Sequence, residues 1–263
     1  MKNLNFSIVW ICKKTVFFGI LILLWELAFR IGVEELKIWE PYIFPSPFAV
    51  FLTIISLIRN RVLGIAIASS MRRIITGYAL SLIIGSIIGI MMARFKYLDK
   101  NMNPLILGLQ TLPSVCWLPF SILWFGLDES AVIFVIVVGS TFSIAIAIES
   151  GIKNINPIYL KAARNMGAKG VRIYTNVIIP SSIPSIISGM KQGWSFAWRA
   201  LMAGEMLSAA KGLGQILLMG RDLADINQVV AVMLVIITLG LTVDKFVFGK
   251  IESNIRYRWG LIQ

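Results

Sequence analysis

Long apolar runs alternate along the chain with short polar and basic segments. Six runs are long enough to cross a bilayer as helices: residues 16–33, 74–92, 105–125, 131–148, 183–207 and 229–248. Each needs about 20 residues to cover about 30 Å of hydrocarbon. Nothing in the chain reads as alternating half-buried strands, so the pattern predicts an all-α integral membrane protein with a single bundle. An even number of crossings puts both termini on one side.

Within the runs, residue types set the packing. Gly77, Ser81, Gly85, Gly89 and Ala93 recur at every fourth position of the second span. That spacing keeps small side chains on one stripe, where another helix can approach closely. The third span contains Pro113 and Pro119; both lack a backbone donor and are expected to kink it. Ahead of the second span, Pro45-Ser46-Pro47 offers Ser46 as a helix N-cap with Pro47 in the first turn. Phe48, Phe51, Leu52, Ile55 and Ile58 follow at helical spacing. They describe either an interfacial helix lying on the bilayer or one packed on the edge of the bundle.

Composition agrees with this picture. Of 263 residues, 57% are hydrophobic and only 14% charged, with a mean hydropathy of +0.82. The net charge of +12 invites a nucleic-acid reading, but its distribution follows topology. With a cytoplasmic N-terminus (residues 1–15), and with Arg30 and Lys245 near the ends of their spans counted with the outer and inner sides, fifteen of the 25 basic residues fall inside and eight outside, while Lys191 and Arg199 lie within the fifth span. The positive-inside rule therefore favours cytoplasmic termini in a cell membrane. The exception is the basic set from Arg59 to Arg73, assigned to the first outer loop. The first apolar run lacks an A-x-A cleavage site and reads as a retained anchor. With no His, and with Cys12 and Cys116 far apart, no metal site is expected.

The segment 149–182 is long, patterned and placed on the cytoplasmic side. Tyr159, Leu160, Ala163 and Met166 give one short helix an apolar face, and Gly167 is suited to the left-handed turn that ends it. Val171, Tyr174, Val177 and Ile178 mark a second short helix, expected to stop before Pro180. Lys161, Arg164, Lys169 and Arg172 lie on the polar side. This helix-turn-helix knob is suited to docking on a partner.

Its residues carry a specific resemblance. Lys161-Ala162-Ala163, Gly167-Ala168 and Val177-Ile178-Ile179-Pro180 match the spacing of the coupling loop of binding-protein-dependent ABC importer permeases. That pattern is E-A-A, three residues, G, nine residues, I-x-L-P. Lys161 stands where the family has Glu, Val177 where it has Ile, and Ile179 where it has Leu. Pro45-Ser46-Pro47, the run from Leu118 to Gly126 and Gly204-Glu205-Met206 resemble the nitrate/sulfonate/taurine/bicarbonate branch, so the likeness covers residues 40 to 260. It implies a six-helix bundle of the type I (MetI-like) kind, residues 16–263, with 149–182 as a coupling helix-turn-helix. It also implies a separate ATP-binding subunit that carries ATP and Mg, an extracytoplasmic solute-binding protein, and a permease homodimer. The cargo can be an anion or a vitamin or pyrimidine precursor.

An enzyme is not expected: no phosphate-binding G-x-x-x-x-G-K-[ST] loop is present, so ATP hydrolysis belongs to another chain. A secondary transporter is the rival class, because Glu26, Lys191, Arg199 and Glu205 lie at membrane depth. It lacks support from inverted repeats. Solute contact is expected on the fifth span. There Gly189, Gly193 and Ala197 form a small-residue stripe, while Gln192, Trp194, Ser195, Trp198, Arg199 and Glu205 supply polar and aromatic groups. An arginine in hydrocarbon costs about 2.5–3.5 kcal/mol on insertion scales and so faces an interior or a water-filled space. Arg199 either meets solute or pairs with a carboxylate such as Glu205 or Glu26. A bond to Glu205 on the same helix is disfavoured, because six residues put the two about 120° apart.

Overall fold

A computed structural model describes residues 2–40, 42–208 and 211–258, and all its regular elements are helical. Met1 and residues 259–263, at the ends of the expected segments, lie outside the described residues. Two compact units result, one from residues 1–64 with 216–235 and one from residues 65–215 with 236–263.

In the first unit, α1 (Lys2–Phe29) runs into a π-helical turn at Arg30–Glu35. From Val16 to Leu24 its apolar side chains are exposed, as suits a helix that meets lipid or another chain. α2 (Pro47–Arg59) starts as its residues dictate: Ser46 Oγ accepts from the Ala49 N–H at 3.1 Å, with Pro47 in the first turn. Trp25 Nε1 donates to the Pro45 carbonyl at 3.0 Å and ties α1 to the segment before α2. Val50 is buried, whereas Phe48, Phe51, Leu52, Ile55 and Ile58 remain exposed. α2 thus shows an outward apolar face.

The chain continues as α3 (Val62–Arg94), α4 (Lys96–Thr111), α5 (Leu118–Phe125), α6 (Glu129–Lys153), α7 (Pro157–Asn165), α8 (Val171–Ile173) and α9 (Ile179–Leu207). It ends with α10 (Leu213–Asp222), α11 (Ile226–Val243) and α12 (Gly249–Arg258). By length and apolarity, residues 13–35, 62–94, 129–153 and 226–255 can each cross a membrane, and α4 with α5 forms a fifth, bent candidate. α9, the fifth expected span, has 29 residues but is diluted by Lys191, Gln192, Arg199 and several serines.

Three boundaries differ from expectation. α3 begins twelve residues before the expected second span, so Arg72 and Arg73 belong to a helix and not to an outer loop. The third span is broken instead of kinked. Leu112 and Pro113 are extended (ψ 125° and 140°), a 3₁₀ turn covers Ser114–Trp117, and α4 and α5 meet at 99°. A residue before proline avoids helical geometry, which ends α4 at Thr111. Finally, the second helix of the knob does not stop before Pro180. It passes through a π-helical turn (Tyr174–Ile178) directly into α9. Pro180 is tolerated because its missing N–H falls in the first turn after the change of register.

α6 is the core of the second unit. The small-residue stripe of α3 lies against it: a Cβ added at Gly77 would come within 2.7 Å of Ile136, at Gly85 within 2.9 Å of the Thr141 carbonyl, and at Gly89 within 2.6 Å of the Ala145 carbonyl. Ser81 joins the same line, with its Oγ 2.7 Å from Ser140 Oγ. α6 also meets α9, where Gly193 abuts Ile144 and Gly204 abuts Val132. α3 therefore runs parallel to α6, and α9 antiparallel. Two parallel neighbours need an intervening return. α4 starts where α6 ends, with Asp99 ion-paired to Lys153, and α5 leads into the start of α6. The bent pair thus carries the chain back along the full length of α6.

Candidate functional site

The break in the third span makes a cavity. About 370 Å³ in volume, it is lined by Gln110, Thr111, Pro113 and Ser114 around the break, Phe142 of α6, and Phe196 and Arg199 of α9, among others. Ser114 reaches this position because α6 has Gly139 opposite it, where a Cβ would lie 3.1 Å from Ser114 Oγ. The Arg199 guanidinium lies over the Phe196 ring at 4.5 Å, and its Nε donates to the Ser195 carbonyl at 3.3 Å. Among the described residues no carboxylate pairs with Arg199. A cation with only an aromatic face and one carbonyl beside it retains most of its donors for something else.

The other expected pathway residues separate around α9. Gln192 and Ser195 share the exposed face with Arg199 but do not line the cavity. Trp194 and Trp198 are buried on another face, where Trp194 packs on Tyr78 (5.1 Å) and Phe248 (6.2 Å). Lys191 pairs with Asp244 at 3.0 Å, and Glu26 with Arg30 at 2.8 Å.

Glu205 is placed away from Arg199 as well. Fully buried, it takes 2.7 Å and 2.8 Å hydrogen bonds from Arg73 Nη1 and Ser70 Oγ of α3, and one of 3.0 Å from the Gly214 N–H. Arg73 also binds Glu129 at 2.9 Å and the Lys211 carbonyl at 2.8 Å, and Ser70 accepts from the Leu213 N–H at 3.0 Å. This network joins α3, α6, α9 and the start of α10. It accounts for two of the four basic residues that broke the positive-inside pattern, because Arg72 and Arg73 are paired with Glu129 and Glu205, while Arg59 and Arg61 take no part in it. In the sequence, the only cue to it was a basic pair just before an apolar run and an isolated acid at the end of another.

The knob is built as a closed turn. Asn156 Oδ1 caps α7 by accepting from the Ile158 N–H at 3.0 Å. At the other end Gly167 has φ +82°, the Ala168 N–H donates to the Ala163 carbonyl (2.9 Å), and the Gly167 N–H donates to that of Arg164 (3.0 Å). Those two bonds complete a Schellman motif, in which glycine accepts the left-handed conformation without strain. Ala162, Ala163 and Val177 line a shallow cavity of about 380 Å³ between the two helices, while Lys161 and Ile179 lie outside its lining. Met166 is 87% exposed, and Ile158, Tyr159 and Val171 are also exposed. Lys161, Arg164, Lys169 and Arg172 surround them, with no ion pair among the described residues. Exposed apolar groups ringed by unpaired cations describe a surface made for another protein.

Comparison with known proteins agrees with this geometry. A Methanocaldococcus jannaschii protein named as an ABC transporter permease is 34% identical over 241 residues, covering 84% of this chain and 88% of its own. The nitrate import permease protein of Synechococcus elongatus is 30% identical (82% and 77% covered). The formylaminopyrimidine transport permease protein of Halalkalibacterium halodurans is 28% identical (77% and 78%). Among solved structures, a chain of the inward-facing MetNI methionine ABC transporter superposes with a TM-score of 0.62 at 19% identity, covering 74% of this chain and 96% of that one. The fold is thus that of MetI-like permeases. An importer permease of this kind works with a separate ATP-binding partner and a solute-binding protein. The model of the binding-protein-dependent transport system inner membrane component matches residues 81–256, and the chain belongs to that family of membrane-embedded ABC importer permeases.

Proposed function

We propose that this permease passes a small anion such as nitrate, a sulfonate, taurine or bicarbonate, and that Arg199 is the positive contact on its path. The observation that carries the reading is an arginine of α9 with no carboxylate partner among the described residues, facing a cavity made by a broken span. A guanidinium offers a planar fork of donors to a planar or tetrahedral oxyanion, and Gln110, Thr111 and Ser114 add neutral hydrogen-bonding groups. Six crossings, cytoplasmic termini and a homodimer complete the arrangement. The knob at 149–182 couples it to an ATP-binding subunit that holds ATP and Mg.

A second reading is favoured by the aromatic side of the same cavity. Trp117, Phe142 and Phe196 line it, and a flat neutral pyrimidine precursor could stack there. Uptake normalised to assembled complex separates the two. For an anion, Arg199→Gln lowers normalised uptake strongly and Arg199→Lys less, with ATPase assembly preserved in both. Unchanged normalised uptake of anions in Arg199→Gln removes the anion site.

A further inference from the structure

A second cavity, of about 510 Å³, lies between the ends of three helices. Six isoleucines form most of its wall, among them Ile90 of α3, Ile152 of α6 and Ile178 of the π-helical turn before α9. The small side chains of Ser86 and Ala93 recess the α3 side. The hydroxyl of Ser182 is turned inward on the Ile179 carbonyl at 2.9 Å. One charged residue lines the space: Arg94, exposed in the last turn of α3, with no carboxylate in the lining and no ion pair among the described residues.

An apolar cleft with a guanidinium at its rim matches an amphiphile with a hydrocarbon tail and an anionic head. A membrane supplies it: apolar side chains outnumber polar ones in the lining, and basic pockets between spanning helices on the cytoplasmic side suit phospholipid head groups. We infer that this cleft is a binding site for an anionic phospholipid, with an acyl chain among the isoleucines and the phosphate at Arg94. The placement of Arg94 at the inner leaflet rests on the topology proposed above. Because Tyr174 and Ile178 of the wall belong to the turn that joins the knob to α9, the lipid touches the coupling path itself.

The test is lipid retention by the assembled importer. The complex is equilibrated with equal amounts of phosphatidylglycerol and phosphatidylcholine in nanodiscs, extracted in mild detergent, and bound lipid is counted by native mass spectrometry. Wild type is expected to retain phosphatidylglycerol in preference. Arg94→Gln should lower that preference about five-fold, the share of one basic residue at the surface, and Arg94→Lys should restore most of it. Lys96→Gln, two residues on and outside the lining, should leave it unchanged. Ile90→Trp, which fills the cleft, should reduce retention of both lipids. Equal preference in wild type and Arg94→Gln overturns the site, as does loss of bound phosphatidylglycerol on adding inorganic phosphate alone, which would make Arg94 a plain anion contact. Because binding is read without transport, failure of the anion pathway leaves this result untouched.

Discussion

Arg73 and Glu205 stand 132 positions apart in the sequence and meet at 2.7 Å inside the protein, with 2% and 0% of their side chains exposed. Taking two charges out of water is costly, and such a pair holds only with good geometry and further hydrogen bonds. Further bonds are present here: Ser70 and Gly214 donate to the carboxylate, and Glu129 and the Lys211 carbonyl accept from the guanidinium's Nη atoms, while Arg73 Nε is buried without a partner. Arg73→Ala leaves Glu205 buried and unpaired and should cost about 3–5 kcal/mol. Arg73→Met with Glu205→Gln should cost less than the sum of the single changes. Thermal unfolding of the purified permease measures the cycle, and strict additivity would mean that the two residues do not act as a pair.

The stripe on α3 gives a graded prediction. At Gly89 an added Cβ meets the Ala145 carbonyl at 2.6 Å, whereas at Gly77 it meets Cγ2 and Cβ of Ile136 and comes no nearer than 3.4 Å to that helix's backbone oxygen. Gly89→Ala should therefore lower stability by about 1–3 kcal/mol and Gly77→Ala by less. Ile84, exposed and off the stripe, should accept leucine freely. Melting temperatures in detergent rank the three, and equal tolerance would rule the stripe out as a packing surface.

Gly167 offers a test of coupling separate from folding. Valine at a φ of +82° pays about 1–2 kcal/mol for the left-handed conformation and should open the Schellman turn. The protein should still insert, while uptake and stimulation of ATP hydrolysis fall together. Normal values of both in Gly167→Val would exclude the knob as the coupling element.

Lys161 is exposed and stands where the resemblance to importer permeases leads one to expect a glutamate. If this chain's ATPase has adapted to the reversed charge, Lys161→Glu should weaken association with it, and more so at low ionic strength. Pull-down of the ATPase across a salt series reads this effect. Stronger association in Lys161→Glu would show instead that the partner keeps a site for the acid.

What the sequence made legible was local. The cap at Ser46, the turn at Gly167 and the four-residue stripe of α3 all follow from spacing within one element, and each stands where spacing put it. What it hid was pairing between distant elements. Arg72 and Arg73 looked like loop residues because hydropathy counts a charge without its partner, and the partners Glu129 and Glu205 lie far along the chain. For the same reason Glu205 read as a pathway residue. Trp194 and Trp198 did too, since period alone does not say which face of α9 meets α6. The break at Pro113 was visible as a proline, but its 99° angle depends on what α4 and α5 pack against.

The unbroken helical path from Val171 to Leu207 has a mechanical consequence. No loop separates the knob from α9, only the π-helical turn and Pro180 and Pro184, so on the coupling role proposed above a push at the knob is passed along one continuous helical path. Gly189 and Gly193, pressed on α6, act as its fulcrum near mid-length, with Arg199 about 15 Å beyond Gly189 by helical rise. A tilt of about 5° there moves Arg199 by about 1.3 Å, close to half a hydrogen bond in length. On the function proposed above, such a tilt would loosen Arg199 from its cargo without unfolding or refolding any segment.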